Sequence, residues 1–483
     1  MVRIRRLLLP LVLLGVLVPG CAVNPVTGQR ELSLVSPEQE LKIGSEGYGA
    51  VVGEYGLYDD PALQSYVSEV GLKVARASHL PGLSWHFAVL DDPTVNAFAM
   101  PGGYIYVTRG ILAHLDSEAQ LAGVLGHEIG HVTHRHTAER ITQQQLYGVG
   151  LGLASAVSGT VRRYGDLAQQ GLGLLFLKYS RDDERQADEL GVAYATAAGY
   201  DPREIPSTYA MLKRVSEQAG QRLPGFLSTH PEPGDREATT AALAKQAVQG
   251  KTGLVVNGRA YVQRLDGIVF GRDPRQGHFA GDLYVHPALR FQMSFPPGWT
   301  HQDTRSAVTA QEPAQRAVMQ LSRVDAGSLS SAAFVRQSSG RGALTVVSGQ
   351  PETIGGLAAW VGRVSLPQSQ GAPVVATAGY IRRADTLMFQ LLGRSQQPGD
   401  ADDARIRASL RTFRPLGDPE RLDARPDRVK VEKLAATATL EATLRRLATP
   451  DSLFQTVALL NSLEPGETVM AGTLLKVVVP GAR

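Results

Sequence analysis

The sequence predicts a multidomain α+β protein, and three observations carry that prediction. At 483 residues the chain is longer than one hydrophobic core usually serves. Its first half places apolar residues at helical spacings around one metal-ligand pattern, whereas residues 283–416 alternate like antiparallel strands. Residues 429–483 then read strand, helix, helix, strand, a small βααβ module. Composition is ordinary for a globular protein, with 43% apolar residues and a formal charge of +3. Arg and Lys are scattered rather than striped, so no nucleic-acid partner is expected.

Arg3, Arg5 and Arg6 precede an apolar run over residues 7–18, then Pro19-Gly20-Cys21. This is the layout of a secretory signal, too short for a comfortable membrane span. Cys21 is the one cysteine, so no intrachain disulfide can form. Its place after Gly20 resembles a bacterial lipobox, in which the cysteine is lipidated and becomes the mature N-terminus. Val18 and Pro19 depart from the usual Leu-Ala/Ser of that pattern. Ala22 lacks the Asp that resembles an inner-membrane retention signal. The expectation is residues 1–21 as a lipoprotein signal and a lipid anchor in the outer membrane, with the chain facing the periplasm.

Residues 22–35 hold Asn24-Pro25-Val26-Thr27-Gly28, read as a turn-rich tether. Ser36-Pro37-Glu38-Gln39 combines an N-cap, a proline at the first helical position and a box partner, opening a helix to about residue 51. Asp60-Pro61 opens another to about Ala77, with Leu63, Tyr66, Val67 and Val70 as its buried stripe. Residues 85–90 alternate like a strand. Asn96-Ala97-Phe98-Ala99 and Tyr104–Thr108 flank the breakers Pro101-Gly102-Gly103, and an edge strand here could pair with an extended peptide. An ordinary hairpin in a small sheet fits the same residues.

The central pattern is His127-Glu128-Ile129-Gly130-His131. Residues four apart share a helix face, so two imidazoles can meet one ion. Glu128 follows the first ligand, where its carboxylate can take a proton from a metal-bound water. Ser117 with Gln120 supplies a capping box, and Leu121, Val124, Leu125, Ile129 and Val132 keep helical spacing. Residues 146–159 are rich in Gly, Ala, Leu and Val but glycine-interrupted, a core helix or a flap, and residues 172–177 start a further apolar helix.

A catalytic zinc takes three protein ligands and keeps one open position. Glu184 and Asp188, four apart, supply a candidate carboxylate ligand and an acceptor for a ligand imidazole. Ala187 between them allows two helices to approach closely. On residue types alone, an acidic helix surface reads at least as well.

His127-Glu128-x-x-His131 followed by Glu184-x-x-Ala187-Asp188 resembles the gluzincin peptidases of the HtpX and BepA type, relatives of the CAAX prenyl endopeptidases. The likeness extends to Asn96-Ala97-Phe98-Ala99, Pro101-Gly102-Gly103, Arg135-His136, Ser228-Thr229-His230-Pro231 with Arg236, and the opening Asn24-Pro25-Val26-Thr27-Gly28. It covers roughly residues 22–245. The resemblance implies a mostly helical zinc endopeptidase domain over residues 22–250, with one Zn2+ held by His127, His131 and Glu184. It also implies Asp188 and Arg236 behind the ligands, and a small sheet whose edge at Asn96, Ala97 and Phe98 holds the substrate. His134 is a rival ligand, disfavoured because a third histidine on one helix strains tetrahedral geometry. His136 is rotated off the metal face and suits a structural hydrogen bond. His230, on turn-rich backbone, suits an oxyanion donor, a fourth ligand that closes the site, or a structural cap.

Residues 251–282 read as an extended connector, 283–416 as an antiparallel α+β accessory domain and 417–428 as a Pro-, Asp- and Arg-rich linker. The βααβ order of residues 429–483 resembles a LysM module, implying contact with peptidoglycan, and no helical repeat period is present. The expected function is endoproteolysis of unfolded or misassembled envelope proteins in quality control. The rival is a catalytically silent or self-inhibited scaffold or chaperone that binds proteins and peptidoglycan.

Overall fold

The computed structural model describes residues 21–150, 178–218, 226, 230, 235–368 and 372–481. The stretches at 146–159 and 172–177 fall outside these residues, apart from the helical backbone of 146–150.

Strands β1 (Cys21–Val23) and β2 (Arg30–Leu32) pair antiparallel around the Asn24-Pro25-Val26-Thr27-Gly28 turn. The tether expected here is instead a built hairpin. Asn24 is fully buried, with Oδ1 accepting from Val26 N (2.9 Å) and Nδ2 donating to Glu31 Oε1 (3.0 Å) and His134 O (3.2 Å). Satisfying both ends of a buried amide fixes the turn against the end of the helix that carries His127 and His131.

Helix α1 (Pro37–Tyr55) begins in a reciprocal capping box between Ser36 and Gln39. Helix α2 (Pro61–Arg76) is capped by Asp60 and buries Leu63, Tyr66, Val67 and Val70, as its apolar spacing predicts. Strands β3 (His86–Leu90), β4 (Ala97–Met100) and β5 (Tyr104–Thr108) form a sheet in the order β3-β5-β4. β3 is parallel and β4 antiparallel to the central β5, so β4 is an edge strand. Gly102 and Gly103 turn between β4 and β5 at φ 81° and 89°, where only glycine sits without strain.

After α3 (Arg109–His114) comes α4 (Glu118–Thr133), which carries the central pattern and is buried throughout from Ala119. Ser117 caps it by accepting from Gln120 N, but the box is not reciprocal, because Gln120 Oε1 takes Asp116 N instead. The helix stops at His134, and Arg135 turns the chain at φ 63°. Arg135 is held there by Glu40 Oε1 (2.8 Å) and Val35 O (2.9 Å). Helices α5 (His136–Gly150), α6 (Arg181–Ala197), α7 (Ile205–Gln218) and α8 (Arg236–Ala247) follow. Residues 258–264 form helix α9 (Gly258–Arg264), not extended connector, and bury Tyr261 and Leu265 in the same core as Leu121 and Leu125. Its seven residues are too few to register a helical period, and burial of Tyr261 decides the conformation.

The accessory region is sheet-dominated, with its own core of Phe291, Phe389, Leu391, Ile406, Leu410 and Phe413. Seven antiparallel strands run in the spatial order Thr345–Ile354, Leu357–Leu366, Val374–Ala384, Leu387–Arg394, Val318–Val324, Ala307–Gln311, Thr300–Asp303. The helix Ala401–Leu410 supplies Ile406 and Leu410 to this core. The helix Ser331–Gly340 does not show in the sequence, since it buries little beyond Ser331 and Val335.

In the last segment, strand Arg428–Lys433 pairs with Leu474–Val479 across helices Leu440–Arg446 and Phe454–Leu460. It is not a free tail. Val429, Leu440, Leu444, Val457, Leu475 and Val477 belong to the same continuous core as α2, α4 and α9. Gly267 N donates to Val429 O (2.7 Å) and Val429 N to Ile268 O (2.9 Å). Among the described residues no helix is long and apolar enough to cross a membrane.

Candidate metal centre

Small residues let α4 and α6 touch. A Cβ on Gly126 would stand 3.0 Å from Gly191 O, and one on Gly130 would stand 3.2 Å from the Ala187 Cα. This contact brings Glu184 of α6 beneath the His127/His131 face of α4. His127 Nε2 and His131 Nε2 lie 3.0 Å apart, and Glu184 reaches them at 3.6 and 3.7 Å. His230 Nδ1 completes the group, 3.0 Å from Glu184 Oε1 and 3.4 Å from His127 Nε2. One donor atom from each of His127, His131, Glu184 and His230 falls within 4.8 Å of the others, and all four residues are buried.

The donor set fits a zinc ion: imidazole nitrogens and a carboxylate oxygen, converging in tetrahedral number. A further observation agrees. Glu128 is 0% exposed, yet neither carboxylate oxygen has a hydrogen-bond partner, and His230 Nε2, 3.7 Å from Glu128 Oε1, has none either. Orphaned buried groups beside a ligand cluster are the mark of a site built for something else to occupy. Burial pushes the Glu128 carboxyl above its ordinary value, against the pull of His230 and His127. Burial pushes Glu184 the same way, but His230, His127 and Arg236 outweigh it and the net shift is downward.

Behind the ligands, Asp188 Oδ1 sits 3.0 Å from His127 Nδ1. Arg236 donates through Nε to Asp188 Oδ2 and through Nη1 to Glu184 Oε2, both at 2.9 Å. Asp188 stays well below the carboxylate range because Arg236 and His127 overcome its burial. His131 has a different partner, His136 Nδ1 at 2.9 Å. His134 is not in the ligand group; its Nδ1 meets Asn24 Nδ2 at 3.2 Å.

The edge strand carries Ala97 and Phe98 opposite Val107 and Tyr106, with Asn96 O accepting from Thr108 N just before it. The Phe98 side chain is buried against Tyr106 and Tyr55, and β4 has β5 as its one strand neighbour among the described residues. Cys21 begins β1 at the backbone level. Three aromatic residues had no signal in the sequence. Tyr179 stacks on His131 at 3.9 Å, Phe226 stacks on His230 at 4.4 Å, and Tyr209 donates to Asp188 Oδ1 with Arg236 over its ring at 4.3 Å. Each lies outside the metal-ligand spacing, and its role arises only when separate helices pack.

Residues 61–243 match Peptidase family M48. The M48 span holds all four residues of the ligand group, with Glu128, Asp188 and Arg236. The chain is similar to the beta-barrel assembly-enhancing protease of Escherichia coli (strain K12), 30% identical over 234 residues, covering 46% of this chain and 47% of that protein. It is similar also to the mitochondrial metalloendopeptidase OMA1 of Arabidopsis thaliana, at 39% identity over 36% of this chain and 34% of that one. The OMA1 protein of Schizosaccharomyces pombe is 34% identical over 43% of this chain and 61% of its own. The chain thus spans about half the length of the curated relatives it matches.

Proposed function

We propose that this chain is a zinc metalloendopeptidase in which His127, His131 and Glu184 hold one zinc ion and Glu128 is the general base. One observation carries the reading: a buried Glu128 with no hydrogen-bond partner lies beside a converged group of imidazoles and a carboxylate. The similarity of residues 61–243 to M48 peptidases supports it. Zinc, when bound, supplies a Lewis acid for the scissile carbonyl and lowers the pKa of water. Glu128 takes the proton of the attacking water and delivers it to the leaving amine nitrogen, leaving no covalent enzyme intermediate. Asp188 holds the His127 ring by its outer nitrogen, and Arg236 ties Asp188 to Glu184 in the same orientation. His230 is a donor to the developing oxyanion in this scheme, through an Nε2 that has no hydrogen-bond partner; burial lowers its pKa, but Glu184 and Glu128 beside it raise it overall. The β4 edge holds the substrate backbone as an added strand.

A second reading of His230 rests on one distance. Its Nδ1 is as close to Glu184 as a shared ligand requires, at 3.0 Å, so the ring could fill the fourth position and hold the peptidase closed.

The substrates proposed are unfolded or misassembled envelope proteins, in line with the beta-barrel assembly named for the Escherichia coli relative. A lipid on Cys21 would anchor the chain in the outer membrane, facing the periplasm, and residues 429–483 would contact peptidoglycan. Zinc content and casein cleavage by wild type and Glu128→Gln test the peptidase reading. Zinc bound with no cleavage by either form would turn it to a silent or self-closed scaffold. Radiolabelled palmitate incorporation, compared between wild type and Cys21→Ala, tests the anchor, and pull-down on purified peptidoglycan tests the last module.

A further inference from the structure

The two ligand histidines are held from behind in different ways. His127 has a carboxylate, Asp188, at its outer nitrogen. His131 has a second imidazole instead: its Nδ1 lies 2.9 Å from His136 Nδ1. The far nitrogen of His136, Nε2, lies 3.0 Å from Gln186 Oε1, on the same helix as Glu184. An amide oxygen only accepts, so this contact makes His136 Nε2 the N–H and leaves its Nδ1 bare. A bare His136 Nδ1 can only accept, so the 2.9 Å contact is a hydrogen bond when His131 carries its proton on Nδ1 and donates it to His136. The His131 Nε2 lone pair then faces Glu184 and His127, where a cation would sit.

The opposite orientation is distinguishable. An amide N–H on His136 Nε2 would reverse both bonds, put a hydrogen on His131 Nε2 and close that ligand position. The ring of His136 is also kept from turning. It stacks on His134 at 4.6 Å and 27°, His134 meets Asn24, and the Arg135 turn at φ 63° fixes where His136 begins.

We propose that Gln186 and His136 are positioning residues that set the Nδ1–H tautomer of His131, Gln186 acting through His136. The use made of the freed Nε2 rests on the zinc reading above. The relay makes residue types matter at two places outside the ligand set: an acceptor at position 186, and a ring nitrogen at position 136.

Two measurements on the full chain test this. Long-range 1H–15N spectra of histidine-labelled, metal-free protein should show His131 protonated at Nδ1 and His136 at Nε2. Zinc affinity by chelator competition should fall about 10- to 100-fold in Gln186→Met and in His136→Phe, and stay at the wild-type value in Gln186→Glu, which keeps the acceptor. Gln186 is partly exposed, so Gln186→Met should fold with the wild-type melting temperature, separating lost orientation from lost structure. Wild-type affinity in Gln186→Met, or His131 protonated at Nε2 in the metal-free wild type, would overturn the relay. Loss of the zinc site itself is read separately: if His127→Ala binds zinc as tightly as wild type, the metal reading fails rather than the relay.

Discussion

Lys476 sets its ammonium 2.9 Å from Asp116 Oδ1, immediately ahead of the serine that caps the metal helix. The same ammonium donates to Ala113 O (3.0 Å) and Leu115 O (2.8 Å), so a lysine only 1% exposed has all three protons placed. Ser462 adds a hydrogen bond to Asp116 Oδ2 at 2.7 Å. The βααβ module is therefore fastened to the start of α4 rather than hung from a linker.

Lys476→Met should destabilise the whole peptidase unit, since it leaves two helix-end carbonyls without donors. The expected loss is about 1–3 kcal/mol in urea unfolding of the full chain. An unchanged midpoint would mean that the ammonium contributes nothing net. Peptidoglycan binding by residues 429–483 is accordingly best tested with surface substitutions in the full chain.

Asp188→Asn should weaken zinc binding about 10- to 100-fold, because His127 keeps an acceptor but loses the charge that orients it. It should also lower stability, as Arg236 is buried and loses one of its two carboxylates. Chelator competition and thermal unfolding read the two effects on one sample.

Stability should fall in mild acid through His114, which is buried with Nδ1 2.8 Å from Gly110 O. Burial, aided by Lys476, pushes its pKa down to about 4 from 6.5. Below 6.5 the unfolded chain takes a proton that the folded chain refuses, so this contribution is intact above 6.5 and lost as pH falls toward 4. The loss approaches about 3 kcal/mol at most. His114→Gln should flatten that slope in a pH series of melting temperatures; an unaltered slope would assign it to other groups.

Removing zinc should lower the melting temperature as well as stop cleavage. A ligand present at about 100 times its Kd stabilises the folded state by about 2.7 kcal/mol, so a chelator should withdraw a shift of that order and added zinc restore it. The same melting temperature with and without metal would deny a zinc-specific site.

The shared faces of the candidate site were legible in the sequence, because helix geometry ties spacing to direction: His127 with His131, and Glu184 with Asp188, are four apart, while the choice of Glu184 as a ligand came from the family resemblance. Helix starts at Ser36, Asp60 and Ser117 were legible for the same local reason, since a cap is chemistry within three residues. What escaped depends on distant packing. Tyr179 and Tyr209 reach the centre only after α6, α7 and α8 assemble. Lys476 sits in a strand where a charged side chain reads as solvent-facing, and only the carbonyls of another domain explain its burial. Asn24 likewise looks like a turn residue until His134 supplies its partner.

The most direct test of Glu128 as the general base on a zinc site pairs zinc content with casein cleavage for wild type and Glu128→Gln. One zinc per chain is expected in both proteins, with a rate about 10²- to 10⁴-fold lower in the variant. Cleavage by Glu128→Gln at the wild-type rate, with zinc bound, would contradict it.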